Sequence, residues 1–209
     1  MKKLLILLFS LFLLGSPSVF ADDISDFEIE GISIGDSLLD YMTEDEIREA
    51  VENRKGDFEY LKEPNKYLMI DLFKDIPIYD NLYFFIKNNS QNQYVTDKNE
   101  KYTILYVGGY IKYIEDFGEC IQKRDEIAKI LSGMFPNIQK NEWEDDYNPP
   151  DPSGESINES ISFIFSSGAK INLQCLDIEE TFRLKKNWNE GLSVAIGSAE
   201  ILSWLGDSK

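Results

Sequence analysis

The chain has 209 residues, 43% hydrophobic and 13% aromatic, which supplies enough apolar side chain for a packed core and rules against a disordered polymer. There are 38 acidic residues against 21 basic ones, a net charge of −17, and this argues against nucleic acid or an anionic membrane as the main partner, since both need clustered Lys and Arg. Histidine is absent, which removes Ser-His-Asp and Cys-His catalysis, His-ligated zinc and the commonest general base near neutral pH.

Residues 1–21 have the three regions of a cleaved secretory signal in order. Lys2 and Lys3 give a positive start, Leu4 to Leu14 is apolar except for Ser10, and Gly15-Ser16-Pro17-Ser18 breaks the helix before a cut after Ala21. The apolar run is shorter than the roughly 20 residues needed to span a bilayer. No cysteine follows the cut and no second apolar run is long enough to span. The expectation is a soluble, exported, periplasmic protein without membrane insertion after cleavage, folded as one domain over residues 22–209. Loss of Lys2 and Lys3 makes the charge balance still more negative. Charged partners should therefore be cationic: a basic envelope protein, a polyamine or a divalent metal. An acidic surface also serves plain solubility with no partner at all.

In Phe27–Ile34, Phe27 and Ile29 alternate with Glu28 and Glu30, the pattern of a half-buried strand. After Gly31 the phase shifts to Ile32 and Ile34, which predicts a bulge or a close backbone approach at the glycine. Gly31-Ile32-Ser33-Ile34-Gly35 also spells the G-x-S-x-G of a nucleophile elbow; with no histidine base and a phase-shifted strand as its context, it reads as a chance match. Gly35-Asp36 is a turn, and Ser37 caps a helical turn over Leu38–Tyr41. Thr43 and Glu46 form a capping box, opening a helix with Ile47, Ala50 and Val51 on one face that ends near Gly56. Strands follow at Tyr67–Phe73, Leu82–Ile86 and Tyr102–Ile114, the last with a bulge at Gly108-Gly109, and Asn88–Lys101 is a polar loop. No helix-length segment separates the three, so they should form an antiparallel meander.

Asp116–Met134 is the strongest helix. Phe117, Cys120, Ile127, Leu131 and Met134 form its apolar stripe, with Lys123, Arg124, Asp125 and Glu126 mostly off it. Gly133 and Pro136 terminate it. Asn141–Ser160 reads as an acidic, proline-bearing loop. Ile161–Phe165 and Lys170–Ile178 form a hairpin, Phe182–Trp188 and Leu192–Ile196 a second pair, and Ser198 caps a last helical turn through Leu205. The fold class is α+β: a mainly antiparallel sheet with two or three helices packed on it, one face covered by the 116–134 and 44–53 helices.

The two cysteines, Cys120 and Cys175, form an even pair in an exported chain and should be oxidised. Cys120 lies on the helix stripe and Cys175 shares a strand face with Ile171 and Leu173. A bridge would close a loop of about 55 residues and contribute roughly 4 kcal/mol in the chain-entropy model. The alternatives are two buried thiols, or a redox or metal pair without C-x-x-C or His.

Glu142, Trp143, Asp145, Asp146, Tyr147 and Asp151, with Glu144 and Glu155, make the candidate interaction loop. Several carboxylates could hold calcium, although D-x-D-x-D-G spacing is missing and Pro149, Pro150 and Pro152 stiffen the segment. Two of them could serve a retaining or inverting glycosidase. A solvated acidic loop accounts for them more simply than either. No catalytic residue or cofactor is assigned, and no G-x-G-x-x-G or phosphate loop is present.

The run Ile29-Glu30-Gly31-Ile32-Ser33-Ile34-Gly35-Asp36-Ser37-Leu38-Leu39-Asp40-Tyr41, with the capping box after it, resembles a group of uncharacterised exported bacterial proteins. Leu192–Leu205 is similar to the end of the same group. The resemblance implies export and brings no activity. The strand–glycine–capped-helix opening alone is similar to small outer-membrane assembly lipoproteins, whose lipidated cysteine this sequence lacks. The functional expectation is a non-enzymatic binding or interaction domain of the envelope. The alternatives are a carboxylate-dependent hydrolase of envelope glycans and a calcium-binding envelope protein.

Overall fold

A computed structural model describes residue 24 and residues 27–54, 66–72, 76–89, 100–114, 116–146, 151–186 and 188–207. The expected leader at 1–21 lies outside them. The strands are β1 (Tyr67–Leu72), β2 (Asn81–Lys87), β3 (Ile104–Lys112), β4 (Gln139–Asp146), β5 (Ile157–Ile164), β6 (Lys170–Asp177) and β7 (Gly191–Gly197). The helices are α1 (Glu44–Arg54), α2 (Phe117–Met134), α3 (Glu180–Lys186) and α4 (Ala199–Asp207), with a 3-10 turn at Leu38–Asp40.

The strands form one sheet in the order β1-β2-β3-β7-β6-β5-β4, antiparallel at every junction. It is two meanders, β1–β3 and β4–β6, joined by the last strand. β7 is buried along its whole length because it has a partner on each side and apolar cover. Its Leu192, Val194 and Ile196 share a core with Ile171, Leu173 and Cys175 of β6, and with Cys120, Ile127, Ala128 and Leu131 of α2. Ile47 of α1 and Ile70, Leu82 and Phe84 extend the same core toward β1. On the opposite face α4 lays Ile201, Leu202, Trp204 and Leu205 against Tyr67, Phe85 and Leu105, with Trp204 edge-on to Tyr67 at 4.9 Å between centroids. The α+β class is as expected, and so is the bridge. Cys120 and Cys175 are joined, 6.0 Å apart at Cα, and tie α2 to β6 with neither residue exposed.

The local signals at helix starts hold. Glu46 accepts from the Thr43 amide at 2.9 Å while its own amide donates to Thr43 Oγ1 at 3.3 Å. Asp116 accepts from the Glu119 amide, Ser37 from the Leu39 amide and Ser198 from the Ile201 amide. These caps satisfy donors that a helix start leaves without partners.

Five expectations change. The expected acidic loop Asn141–Ser160 is strand at both ends: its start belongs to the edge strand β4 (Gln139–Asp146) and residues 157–160 open β5; an edge faces water on its outer side, so charge is tolerated there, and β5 supplies the ladder. Phe182–Trp188, read as a strand, starts as helix α3. The Glu179 carboxylate accepts from the amides of Thr181 (2.9 Å) and Phe182 (2.7 Å) and fixes the turn. Phe27–Ile34 is a turn with one bridge between Ile29 and Ile32 and no strand. The β3 bulge is at Leu105, where pairing steps from Phe85–Tyr106 to Ile86–Ile104. Gly108 and Gly109 instead make room for rings: a Cβ on either would fall inside Tyr83 or Tyr79 respectively. On α2, Arg124 lies in the buried stripe, paired with Glu159 at 2.9 Å, and Met134 is exposed.

Candidate binding cavity

Ile29 and Ile32 are anchored in the core, 2% and 3% exposed, and exchange backbone hydrogen bonds of 3.1 and 3.0 Å. The two residues between them must reverse the chain. Glu30 has φ 55 and Gly31 φ 77, the two positive values of a type I′ turn. Glycine takes that conformation freely, whereas glutamate takes it at a cost of about 1–2 kcal/mol. Glu30 Oε1 accepts from the Ile78 amide at 3.0 Å, which fixes the carboxylate against the segment leading into β2.

The chain then docks beside the start of β3. Gly35 N donates to Ile104 O (2.9 Å), Ile104 N to Asp36 O (2.8 Å) and Leu38 N to Tyr102 O (3.0 Å). Pairing of β3 with β7 begins only at Tyr106, so residues 35–38 use ladder groups that β7 does not reach. Asp36 Oδ2 accepts from the Ser33 amide at 2.9 Å and from the Tyr41 hydroxyl at 2.7 Å. Ser33 is buried and its hydroxyl turns inward to the Phe27 carbonyl at 3.4 Å. The G-x-S-x-G serine is therefore not displayed as a nucleophile.

Between this stretch, α1, Leu72 of β1, Ile76, Pro77 and Leu82 of β2 lies a cavity of about 440 Å³. Ile32, Met42 and Leu82 are its buried apolar lining, with Leu72 beside them. Glu30, Tyr41 and Glu46 supply its polar groups, and Pro77 is an exposed lining residue. Burial, the Asp36 hydrogen bond and the charges of Asp36, Asp40 and Glu28 together push the Tyr41 phenol far above its ordinary range. Tyr41 is therefore a neutral donor in a negative field.

The residues singled out in the sequence are dispersed. On β4, Glu142 pairs in register with Ile161, Trp143 with Ser160, Asp145 with Asn158 and Asp146 with Ile157. Strand alternation sends Glu142 and Trp143 to opposite faces. Glu142 forms a 2.6 Å ion pair with Lys140, and Trp143 is 59% exposed. Tyr147 lies outside the described residues. Asp151 organises a turn, accepting from the amides of Ser153 (2.9 Å) and Ser156 (3.1 Å) and from the Ser156 hydroxyl (2.8 Å). Among the described residues no group of three or more His, Cys, Asp or Glu is placed to hold a metal ion. No described helix is long and apolar enough to cross a membrane.

Sequence reasoning missed Glu30, Tyr41, Met42 and Glu46 as one site. The available signal was Glu30-Gly31 at the phase change, which a two-residue turn explains better than a bulge. No protein-family model, no curated protein and no solved structure matches this chain.

Proposed function

We propose that the protein is an exported binding domain without catalytic activity, and that its ligand site is the cavity behind the Glu30-Gly31 turn. The observation that carries this reading is a 440 Å³ space with an apolar lining and a few polar groups, within the range of about 300–1,000 Å³ usual for small-ligand sites. Its carboxylates are already engaged as acceptors, Glu30 by the Ile78 amide and Glu46 by Thr43. A buried disulfide suits an oxidising compartment and agrees with the leader read at residues 1–21. The test is a small-molecule screen by NMR that follows the Met42 methyl. Ligands of the site should shift that signal and lose binding when Pro77→Trp obstructs the cavity. Ligands that bind, leave Met42 unmoved and ignore Pro77→Trp would place binding elsewhere.

A second reading is a two-carboxylate hydrolase of envelope glycans, because Glu30 and Glu46 line the same cavity. Turnover of cell-wall fragments that drops at least 100-fold in either Glu30→Gln or Glu46→Gln would establish the enzyme and displace the first reading.

A further inference from the structure

Independently of the cavity, we infer that the face of β4–β7 turned away from α2 is a second binding surface, and that its ligand is an uncharged oligosaccharide. Three observations support this. The first is what the face displays. Ile161 and Phe163 of β5, Ile171 and Leu173 of β6, and Val194 and Ile196 of β7 belong to the core under α2, so the residues alternating with them face the other way. The register sets these in two adjacent rows across four strands: Trp143-Ser160-Gln174-Ser193 and Asn141-Ser162-Asn172-Ala195. Three strand spacings make each row about 14 Å long. No member of either row belongs to a hydrophobic cluster of the described residues, and Asn141, Ser160, Asn172 and Gln174 are half-buried.

The second observation is where the charges are. A solvated sheet face ordinarily takes the polar and charged residues, and the covered face stays apolar. On β4 and β5 the charges are placed the other way. Lys140, Glu142 and Glu159 stand in register with the core face, where Arg124 of α2 meets Glu159 at 2.9 Å. The two outward rows carry no charged residue. Charge returns on this face of β4–β7 only at the margins, at the register positions of Asp145 and Lys170. In a chain with 38 acidic and 21 basic residues, an uncharged polar surface is matched by an uncharged polar ligand. The net charge repels an anionic glycan, and a cationic one finds no counter-charge in the rows.

The third is the set of groups left to bind. The Ser162 hydroxyl donates to Asn172 Oδ1 at 2.8 Å, and Gln174 Nε2 donates to Asn158 Oδ1 at 2.9 Å. These bonds hold the amides in place. They leave the N–H groups of Asn172 and Asn158, the Gln174 carbonyl and the Ser160 hydroxyl without a partner among the described residues. Donors and acceptors therefore lie side by side, which suits neighbouring sugar hydroxyls, each of which donates one bond and accepts others. At the sheet edge the Trp143 ring is 59% exposed. Its apolar face can cover the C–H side of a sugar ring while its N–H remains a donor.

The experiment is an NMR titration that follows the Trp143 indole N–H and the side-chain amides of Asn172 and Gln174. The probes are cellopentaose, maltopentaose, xylopentaose and N-acetylchitopentaose, with pentagalacturonate as the anionic counterpart. At millimolar concentration at least one neutral probe should shift these signals, added salt should not weaken it, and pentagalacturonate should not bind. Trp143→Ala removes an exposed ring; it should leave the melting temperature unchanged and weaken that probe at least tenfold. Asn172→Asp keeps an acceptor for the Ser162 hydroxyl and exchanges the amide donors for a charge; it should also weaken the probe at least tenfold. Pro77→Trp, which obstructs the cavity, should change nothing, so surface and cavity stand or fall separately. If no neutral probe moves the signals, if pentagalacturonate binds as tightly, or if either variant is folded and binds like the native chain, the inference fails. A shift of the Met42 methyl that Pro77→Trp abolishes would place the sugar in the cavity and overturn the surface.

Discussion

Replacing Cys120 and Cys175 together by alanine should remove a large share of the fold's stability. The bridge closes a loop with a sequence separation of 55 residues. In the chain-entropy model such a loop restricts the unfolded state by about 14 cal/mol/K, or roughly 4 kcal/mol at 25 °C. Both residues are fully buried between α2 and β6, so losing two sulfur atoms leaves space in the core that costs about 1–2 kcal/mol more. The sum is comparable with the 5–15 kcal/mol that holds a typical domain together. Urea unfolding followed by tryptophan fluorescence reads this directly. The midpoint should fall steeply, and the urea dependence should steepen because the uncrosslinked chain expands further when unfolded. In the native protein both sulfurs are shielded, so reduction by dithiothreitol should proceed only as fast as α2 separates from β6. A stability loss under about 1 kcal/mol with an unchanged urea dependence would refute the loop argument, and thiols free in the native protein would refute the bridge.

Other consequences are separable. Arg124 is 8% exposed and pairs with Glu159 and with its neighbour Asp125, each at 2.9 Å; because Asp125 remains, Glu159→Ala should cost about 2 kcal/mol, whereas Arg124→Met with Glu159→Met should retain or raise stability, both measured by urea unfolding. Gly109→Ala places a methyl inside the Tyr79 ring and should lower stability by about 2 kcal/mol, with partial recovery when Tyr79→Leu is added. Desolvation pushes the Asp151 carboxyl up, but hydrogen bonds from Ser153 and Ser156 outweigh it and hold the group at about 2 against an ordinary 3.8. Because the value is depressed in the folded state, its stabilising effect is present above 3.8 and fades as pH falls through about 2. A carbon NMR titration should find that midpoint, and Ser156→Ala should move it upward.

What could be read from the sequence was what neighbouring residues decide among themselves. Thr43 and Glu46 meet within one turn, Ser37 and Ser198 cap the turns that follow them, and Cys120 and Cys175 each lie on an apolar face of a strongly patterned element. β4 could not be read, because Gln139–Asp146 has no apolar alternation; β5 and a position at the sheet edge make it a strand. α3 was misread because Phe182 and Leu184 alternate like a strand, yet Leu184 is 64% exposed and the Glu179 carboxylate sets the turn. Arg124 was placed off the helix stripe because charge normally is; Glu159 on β5 allows its burial. The cavity was hidden for a different reason. Its described lining comes from separate stretches, Glu30 to Glu46, Leu72, Ile76, Pro77 and Leu82, and no hydrophobic pattern joins them in the sequence.

The opening stretch shows why a motif can match without its chemistry. A nucleophile elbow places a serine on a sharp turn and needs glycines where the backbone allows little else. The Ile29–Asp36 segment also turns sharply twice, with Gly31 at φ 77 and Gly35 at φ 98. Similar backbone demands can therefore select glycines at similar spacing. The difference lies in what each turn presents. An elbow exposes its serine, whereas here Ser33 points into the fold toward Phe27 and its amide donates to Asp36. The group placed on the cavity is Glu30, one residue before the motif begins. The turn thus brings a carboxylate to the pocket and buries the motif's serine, the reverse of what attack on a carbonyl needs.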